Sequence, residues 1–149
     1  LIDMKVDAFL LPSALNLMVG QRLVSRLCKA CKEGSHAIAE IASIIKKELE
    51  NLVAGGVKEA ESFTSPYTIY HAKGCTICGG KGIVGRMGLF EVLTMSKELG
   101  EVLGSGMTEN KIIGEARRQG MATMRQDGII KALRGLIAIE EVLRETEEE

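Results

Sequence analysis

The sequence of 149 residues contains no tryptophan, and aromatic residues make up only 3% of it. So few aromatic side chains leave little material for the stacking platforms that bind single-stranded nucleic acids. Lys and Arg number 19 against 20 Asp and Glu, so no excess of basic charge attracts the chain to nucleic acid. We therefore predict no nucleic-acid partner and a core built from Leu, Ile, Val, Met and Ala.

Long apolar runs are also missing. No run of 18 apolar residues and no signal peptide is present in the sequence, so we predict no transmembrane segment and a reducing, cytoplasmic location. The length corresponds to one domain or to two small ones. Because the first residue is leucine, we expect this chain to be part of a longer protein.

Cysteine is sparse, but the four cysteines form two C-x-x-C pairs, Cys28/Cys31 and Cys75/Cys78, with 43 residues between them. Each such turn directs two sulfurs at one point, and two facing turns form a tetrahedral four-sulfur site that suits Zn²⁺. A closed shell leaves no position for water or substrate. We therefore predict that these four cysteines bind a structural zinc ion, and we predict no catalytic residue and no other cofactor-binding residue.

Other interpretations of the cysteines stay open at this stage. They are two disulfides, a thioredoxin-like redox pair, unrelated buried thiols, and iron in place of zinc. His36 and His71 are conceivable substitute ligands, but four cysteines already complete the shell, so we predict ordinary histidines there. Five cations lie within three residues of a cysteine and are expected to favour the thiolate form: Arg26, Lys29, Lys32, Lys73 and Lys81.

Periodicity predicts a short helix at 12–17, a strand running to Cys28, and a long amphipathic helix at 35–54 capped by Ser35. Residues 57–66 are predicted as a loop, and strands are predicted at 67–72 and 83–93. Four short helices are then expected: from Ser96 to a stop at Gly104-Ser-Gly106, from Thr108 to Gly120, from a capping box at Thr123 to about Leu133, and from Ile139 to Arg144. We predict that Arg117 and Arg118 form a solvated helix face, and that the acidic end is solvated and disordered.

The region around the second cysteine pair carries a longer pattern. It reads Cys75-Thr-Ile-Cys-Gly-Gly-Lys-Gly-Ile-Val-Gly-Arg-Met-Gly-Leu-Phe-Glu-Val92. This string resembles the C-x-x-C-x-G-x-G and G-R-x-G-I/L-x-E signature of the secretion-ATPase E family, the motors of type II secretion and type IV pilus assembly. Upstream, Gln21-Arg-Leu-Val-Ser-Arg-Leu-Cys28 is similar to the family's Q-R-L-x-R-x-L-C, and the resemblance continues through 117–121, 124–128 and 140–144.

Some positions depart from the family pattern. The helix-bearing insertion at 35–56 has no close match, Ile83 stands where the family has tyrosine, and Ile137-Ala138 stand where it often has two threonines. None of these positions is a predicted metal ligand. The departures leave open whether the chain belongs with pilus assembly, type II secretion or DNA uptake.

The resemblance implies an α+β fold in three parts: the end of a RecA-like ATPase core (1–27), a tetracysteine zinc module with short antiparallel strands and an inserted helix (28–94), and a small C-terminal helical bundle (95–149). It implies ATP and magnesium sites in a preceding part of the parent protein. In agreement with this, no G-x-x-x-x-G-K-S/T loop occurs in this sequence. It also implies a homo-hexameric motor at the inner membrane, bound there through assembly platform proteins. A free-standing zinc-ribbon interaction module is the alternative.

Overall fold

The structure, a computed structural model, describes residues 6–104 and 108–147. Within these residues the fold is α+β, with six α-helices and two antiparallel two-stranded sheets. The strands are β1 (Leu17–Leu27), β2 (Lys32–His36), β3 (Thr68–Ala72) and β4 (Ile83–Thr94). The helices are α1 (Leu11–Ala14), α2 (Ala39–Ala54), α3 (Lys97–Gly104), α4 (Glu109–Arg118), α5 (Met124–Leu133) and α6 (Ile139–Glu145). The predicted α+β class is confirmed, whereas the three-part division stays a prediction.

β1 and β4 form a long antiparallel pair, which we call the ribbon. Its register runs from Leu17 opposite Thr94 to Leu27 opposite Ile83, with one irregularity between Ser25 and Leu27. Successive side chains of a strand point to opposite faces, so the ribbon has two faces. One face carries Val24 and Leu89, which are fully buried.

The main core joins segments that are distant in the sequence. The apolar stripe of α2 supplies Ile45, Leu49 and Leu52, as the periodicity predicted. These side chains pack in one cluster with the buried face of the ribbon and with α5 and α6. The inserted helix α2 and the C-terminal helices therefore share a single hydrophobic core.

Side-chain hydrogen bonds at the N-terminus stabilise the first turn of two C-terminal helices, α5 and α3. Thr123 and Gln126 form a reciprocal capping box at the start of α5, which confirms that prediction. The hydroxyl of Ser96 accepts a hydrogen bond from the N–H of Leu99 at 3.0 Å. Thr108 occupies the N-cap position of α4 as predicted, but its side chain makes no capping hydrogen bond.

Two predicted helices have the wrong boundaries, and one predicted loop contains a short helical turn. The helix predicted at 35–54 begins at Ala39, because Ser35 lies in β2 and pairs with Ile69 instead of capping a helix. In place of the helix predicted at 12–17, the structure has the shorter helix α1 over Leu11–Ala14. The predicted loop at 57–66 contains a 3₁₀ turn over Lys58–Ser62. The predicted stop at Gly104-Ser-Gly106 lies partly outside the described residues, and the last two glutamates lie wholly outside them. Within the described residues, no helix has both the length and the apolar composition needed to cross a membrane.

Candidate metal centre

The fold carries the two cysteine pairs to the same end of the ribbon. Cys28 and Cys31 lie between β1 and β2. Between β3 and β4, Cys75 is the N-cap of a 3₁₀ turn over Thr76–Cys78, and Cys78 is its last residue. Because β2 pairs with β3 and β1 pairs with β4, the two turns face each other. The N–H of Cys28 donates to the carbonyl of Gly82 at 2.8 Å, which ties the first turn to the second.

The sulfur geometry matches a tetrahedral site. All four Sγ atoms lie within 4.8 Å of one another. Three of the separations are 3.9 Å for Cys28–Cys75, 3.9 Å for Cys31–Cys78 and 3.7 Å for Cys75–Cys78. A tetrahedron with Zn–S bonds of about 2.3 Å places its sulfurs about 3.8 Å apart. The four cysteines are free thiols here, so neither pair is joined as a disulfide. The donor set and its spacing therefore fit a zinc ion.

Backbone N–H groups point at one of the sulfurs. Cys78 Sγ accepts from the N–H of Cys75 at 3.1 Å and from the N–H of Gly82 at 3.2 Å. The N–H of Cys75, followed by that of Gly82, lowers the pKa of the Cys78 thiol to about 6 against opposing desolvation. Burial raises the pKa of the Cys31 thiol to about 12. Metal binding requires the thiolate at both positions, and a bound cation would stabilise the Cys31 thiolate that burial disfavours.

Gly82 shows why glycine follows the second pair. Its φ is +73°, a left-handed conformation that residues with a side chain rarely adopt. A Cβ atom there would lie 2.8 Å from the carbonyl oxygen of Ala72, at the end of β3. The glycine thus lets the chain turn from the cysteine pair into β4 while its N–H bonds the sulfur of Cys78.

The charged and histidine side chains near the cysteines agree with the sequence analysis in part. The two histidines, His36 and His71, are exposed, and the metal-competent cluster among the described residues consists of the four cysteines. Lys73 forms an ion pair with Glu33 at 2.7 Å, which offsets its positive charge. The positive charge of Lys73 is therefore partly neutralised, whereas two backbone N–H groups contact Cys78 Sγ directly.

Lys32 makes a contact that the sequence did not predict. Its ammonium nitrogen donates to the carbonyl of Gly135 at 2.7 Å and lies 4.9 Å from the centre of the Tyr70 ring. Next to it, the N–H of Leu27 donates to the carbonyl of Leu136 at 2.9 Å. These two hydrogen bonds, which we call the latch, join the cysteine turns to the segment between α5 and α6.

A second polar cluster, away from the cysteines, also escaped the sequence analysis. Glu115 is buried, and its carboxylate accepts hydrogen bonds from Arg118, Gln119 and Ser96. The Arg118 guanidinium is the main cause of a Glu115 pKa of about 2. Arg117 and Arg118 are exposed as predicted, but Arg118 is also tied to a buried acid. Arg118 and Gln119 follow Glu115 by three and four positions on α4, and this helical spacing could have predicted their contacts with it.

Comparison with known proteins places the chain in a family. The sequence profile of the family described as "Type II/IV secretion system protein" matches residues 1–144. The type IV pilus assembly ATPase PilB of Thermus thermophilus is 36% identical over 144 residues, covering 97% of this chain and 15% of that protein. The type II secretion system protein E of Pseudomonas aeruginosa is 34% identical over 149 residues, covering 100% of this chain and 27% of that protein.

A third relative agrees with these two. The type IV pilus assembly ATPase PilB of Myxococcus xanthus is 33% identical over 146 residues, covering 98% of this chain and 24% of that protein. The chain belongs to the type II/IV secretion system protein family, which confirms the resemblance seen in the sequence. It spans 15 to 27% of the length of these relatives.

Proposed function

We propose that this chain is the zinc-binding, non-catalytic coupling region of an ATPase that powers type II secretion or type IV pilus assembly. The observation that carries the proposal is the approach of four sulfurs from two distant turns to within 4.8 Å of one another. Cys28, Cys31, Cys75 and Cys78 would hold the ion, which closes the loop containing α2 without offering an open coordination position. The ion therefore supplies rigidity, and no reaction step is assigned to it.

The latch supports the coupling part of the proposal. Through Lys32 and Leu27, the cysteine turns are bonded to the segment that links α5 to α6. The same helices pack against α2 in the main core. A displacement applied to the ribbon would thus reach the C-terminal helices through packed and hydrogen-bonded groups, because well-packed interiors transmit strain.

Membership of the family supports a proposal for the position of this chain within a longer parent protein. We propose that residues 1–27 are the end of a RecA-like core, that 28–94 form the zinc module, and that 95–149 form the C-terminal helical domain. The parent would bind ATP and magnesium in its preceding part, assemble as a homo-hexamer in the cytoplasm, and contact platform proteins at the inner membrane. The printed names of the relatives, which are pilus assembly and secretion ATPases, support this assignment.

Metal analysis of the 149-residue chain tests the proposal. Protein purified under reducing conditions should contain one zinc per chain, and Cys75→Ser should lose it together with part of its thermal stability. His71→Ala is the matched control, because His71 is an exposed residue of β3 close in sequence to the cysteine turn. Full-length Cys75→Ser should also fail to support secretion or pilus assembly. Wild-type protein that is stable and metal-free would contradict the proposal.

A further inference from the structure

The four cysteines differ in how far solvent reaches them. Each C-x-x-C turn contributes one buried cysteine and one partly exposed cysteine. Cys28 and Cys78 are only 2% and 8% exposed, whereas Cys31 and Cys75 are partly exposed. Cysteines react with dissolved oxidants according to their exposure and their thiolate character, and buried structural cysteines are inert. A small oxidant in water therefore reaches Cys31 and Cys75 before it reaches the other two.

Cys75 has a sulfur of its own turn as its near neighbour. Its Sγ lies 3.7 Å from Sγ of Cys78, three positions further along, and 3.9 Å from Sγ of Cys28 in the facing turn. In a disulfide the two sulfurs are about 2.05 Å apart. Within one turn, side-chain rotation brings the sulfurs of Cys75 and Cys78 together. A bond to Cys28 would instead draw two separate turns toward each other.

Backbone groups hold the second sulfur of this pair in place. Sγ of Cys78 accepts hydrogen bonds from the N–H of Cys75 at 3.1 Å and from the N–H of Gly82 at 3.2 Å. The first of these donors belongs to the neighbouring cysteine itself, so the bond keeps the two residues side by side. The structure thus places a shielded, fixed sulfur beside an accessible one.

We infer that hydrogen peroxide oxidises this cluster at Cys75 and closes a disulfide between Cys75 and Cys78, which releases the zinc. The Cys75 thiolate attacks the O–O bond, forming a sulfenic acid and expelling hydroxide. The Cys78 thiolate then attacks the sulfenic sulfur, forming the S–S bond and expelling a second hydroxide. Two electrons pass from the two sulfurs to the peroxide. The inference rests on the proposed function, in which the four sulfurs hold zinc.

The disulfide would loosen the region around the cysteines without unfolding it. Only Cys28 and Cys31 would remain as ligands, and two sulfurs do not complete the tetrahedral shell of a structural zinc. The N–H of Cys28 would still donate to the carbonyl of Gly82, and β2 would still pair with β3. Reduction by a thiol restores both thiolates and allows zinc to bind again. Oxidation would therefore weaken the proposed coupling reversibly.

Peroxide treatment of the zinc-loaded 149-residue chain tests the inference. A chelating dye measures zinc release, and mass mapping of unreduced peptides identifies the disulfide. Zinc release and a bond between Cys75 and Cys78 should appear with the same time course, and dithiothreitol with added zinc should reverse both. The 7 methionines serve as an internal reference for the oxidant. Zinc retained after these methionines are oxidised, or a first bond that joins the two turns, would overturn the inference.

A matched pair of variants tests the site of attack. Cys31→Ser and Cys75→Ser each remove one partly exposed cysteine and leave three thiols, and both lose the closed four-sulfur site. With peroxide, Cys31→Ser should still form the bond between Cys75 and Cys78. Disulfide formation in Cys75→Ser should be about fivefold slower or more, because its accessible thiol beside Cys78 is missing. Equal rates in the two variants would contradict the inference, and the mapping on the wild type does not depend on either variant.

Zinc analysis of the same samples separates this inference from the proposed function. Reduced protein that holds one zinc per chain but forms no bond between Cys75 and Cys78 would reject the switch and leave the proposed function intact. Reduced protein that holds no zinc would contradict both.

Discussion

The ammonium nitrogen of Lys32 lies 2.7 Å from the carbonyl oxygen of Gly135, 103 positions further along the chain. Lys32 directly follows Cys31, and Gly135 directly precedes the residue whose carbonyl bonds to the N–H of Leu27. One side of the cysteine cluster is therefore fixed to the segment between α5 and α6. In the function proposed above, this link lets the region around the cysteines and the C-terminal helices move together.

Lys32→Met should weaken that link without removing the metal. The methionine keeps most of the apolar stem but loses the hydrogen bond of a charged donor, so we expect unfolding to become easier by about 1–2 kcal/mol. Urea unfolding of the zinc-loaded protein measures the change, with zinc content as the check. Lys29→Met is the control, because Lys29 lies exposed in the same turn. Identical midpoints for the two variants would show that the latch contributes nothing to stability.

Gly135→Ala should be destabilising for two reasons. The φ of Gly135 is +67°, and a Cβ there would lie 2.6 Å from Lys32 Nζ and 2.9 Å from the Tyr70 ring. We expect a loss of about 1–3 kcal/mol in the free energy of unfolding. The control Gly114→Ala lies within α4, where an added Cβ meets no atom within 4 Å.

The control should change stability in the opposite direction. Alanine is the better helix former, so Gly114→Ala should stabilise the protein by about 0.5–1 kcal/mol. Thermal unfolding of both variants gives the signs directly. A Gly135→Ala protein as stable as the wild type would mean that the segment moves freely and that the latch is not formed.

Glu115 should make stability depend on acid pH. Its pKa is about 2 in the folded protein, mainly through the Arg118 guanidinium, and near 4.5 when unperturbed. A depressed pKa stabilises the folded state fully above the unfolded value, and this contribution is lost as the pH falls from about 4.5 toward 2. The melting temperature should therefore fall over that range, and Glu115→Gln should reduce the slope.

Glu98→Gln provides the comparison for that measurement, because Glu98 also pairs with Arg118 but is half exposed. It should change the slope less than Glu115→Gln does, since solvent screens exposed ion pairs. Equal slopes for the wild type and the Glu115→Gln variant would show that the buried carboxylate is not ionised against Arg118 as the structure indicates.

The clustering of the four cysteines was predictable from the sequence because its signal is local. Two C-x-x-C turns define the sulfur pairs, and the glycines after them allow backbone N–H groups to approach Cys78. The capping box at Thr123 and the apolar stripe of α2 were equally local, and both are present. Short-range patterns of this kind need no knowledge of the rest of the fold.

The errors arose where a distant partner decides the structure. Ser35 has a good capping side chain, but pairing with Ile69 holds it in a strand, so α2 starts four residues later than predicted. The latch was also not predictable, because nothing near Lys32 in the sequence indicates a carbonyl 103 positions away. Tertiary pairing overrides local propensity in both cases.

X-ray absorption at the zinc edge of the purified chain tests the central claim most directly. Our account predicts four sulfur neighbours at about 2.3 Å and no nitrogen or oxygen neighbour, supplied by Cys28, Cys31, Cys75 and Cys78. A shell that contains nitrogen or oxygen atoms, or fewer than four sulfurs, would contradict the account.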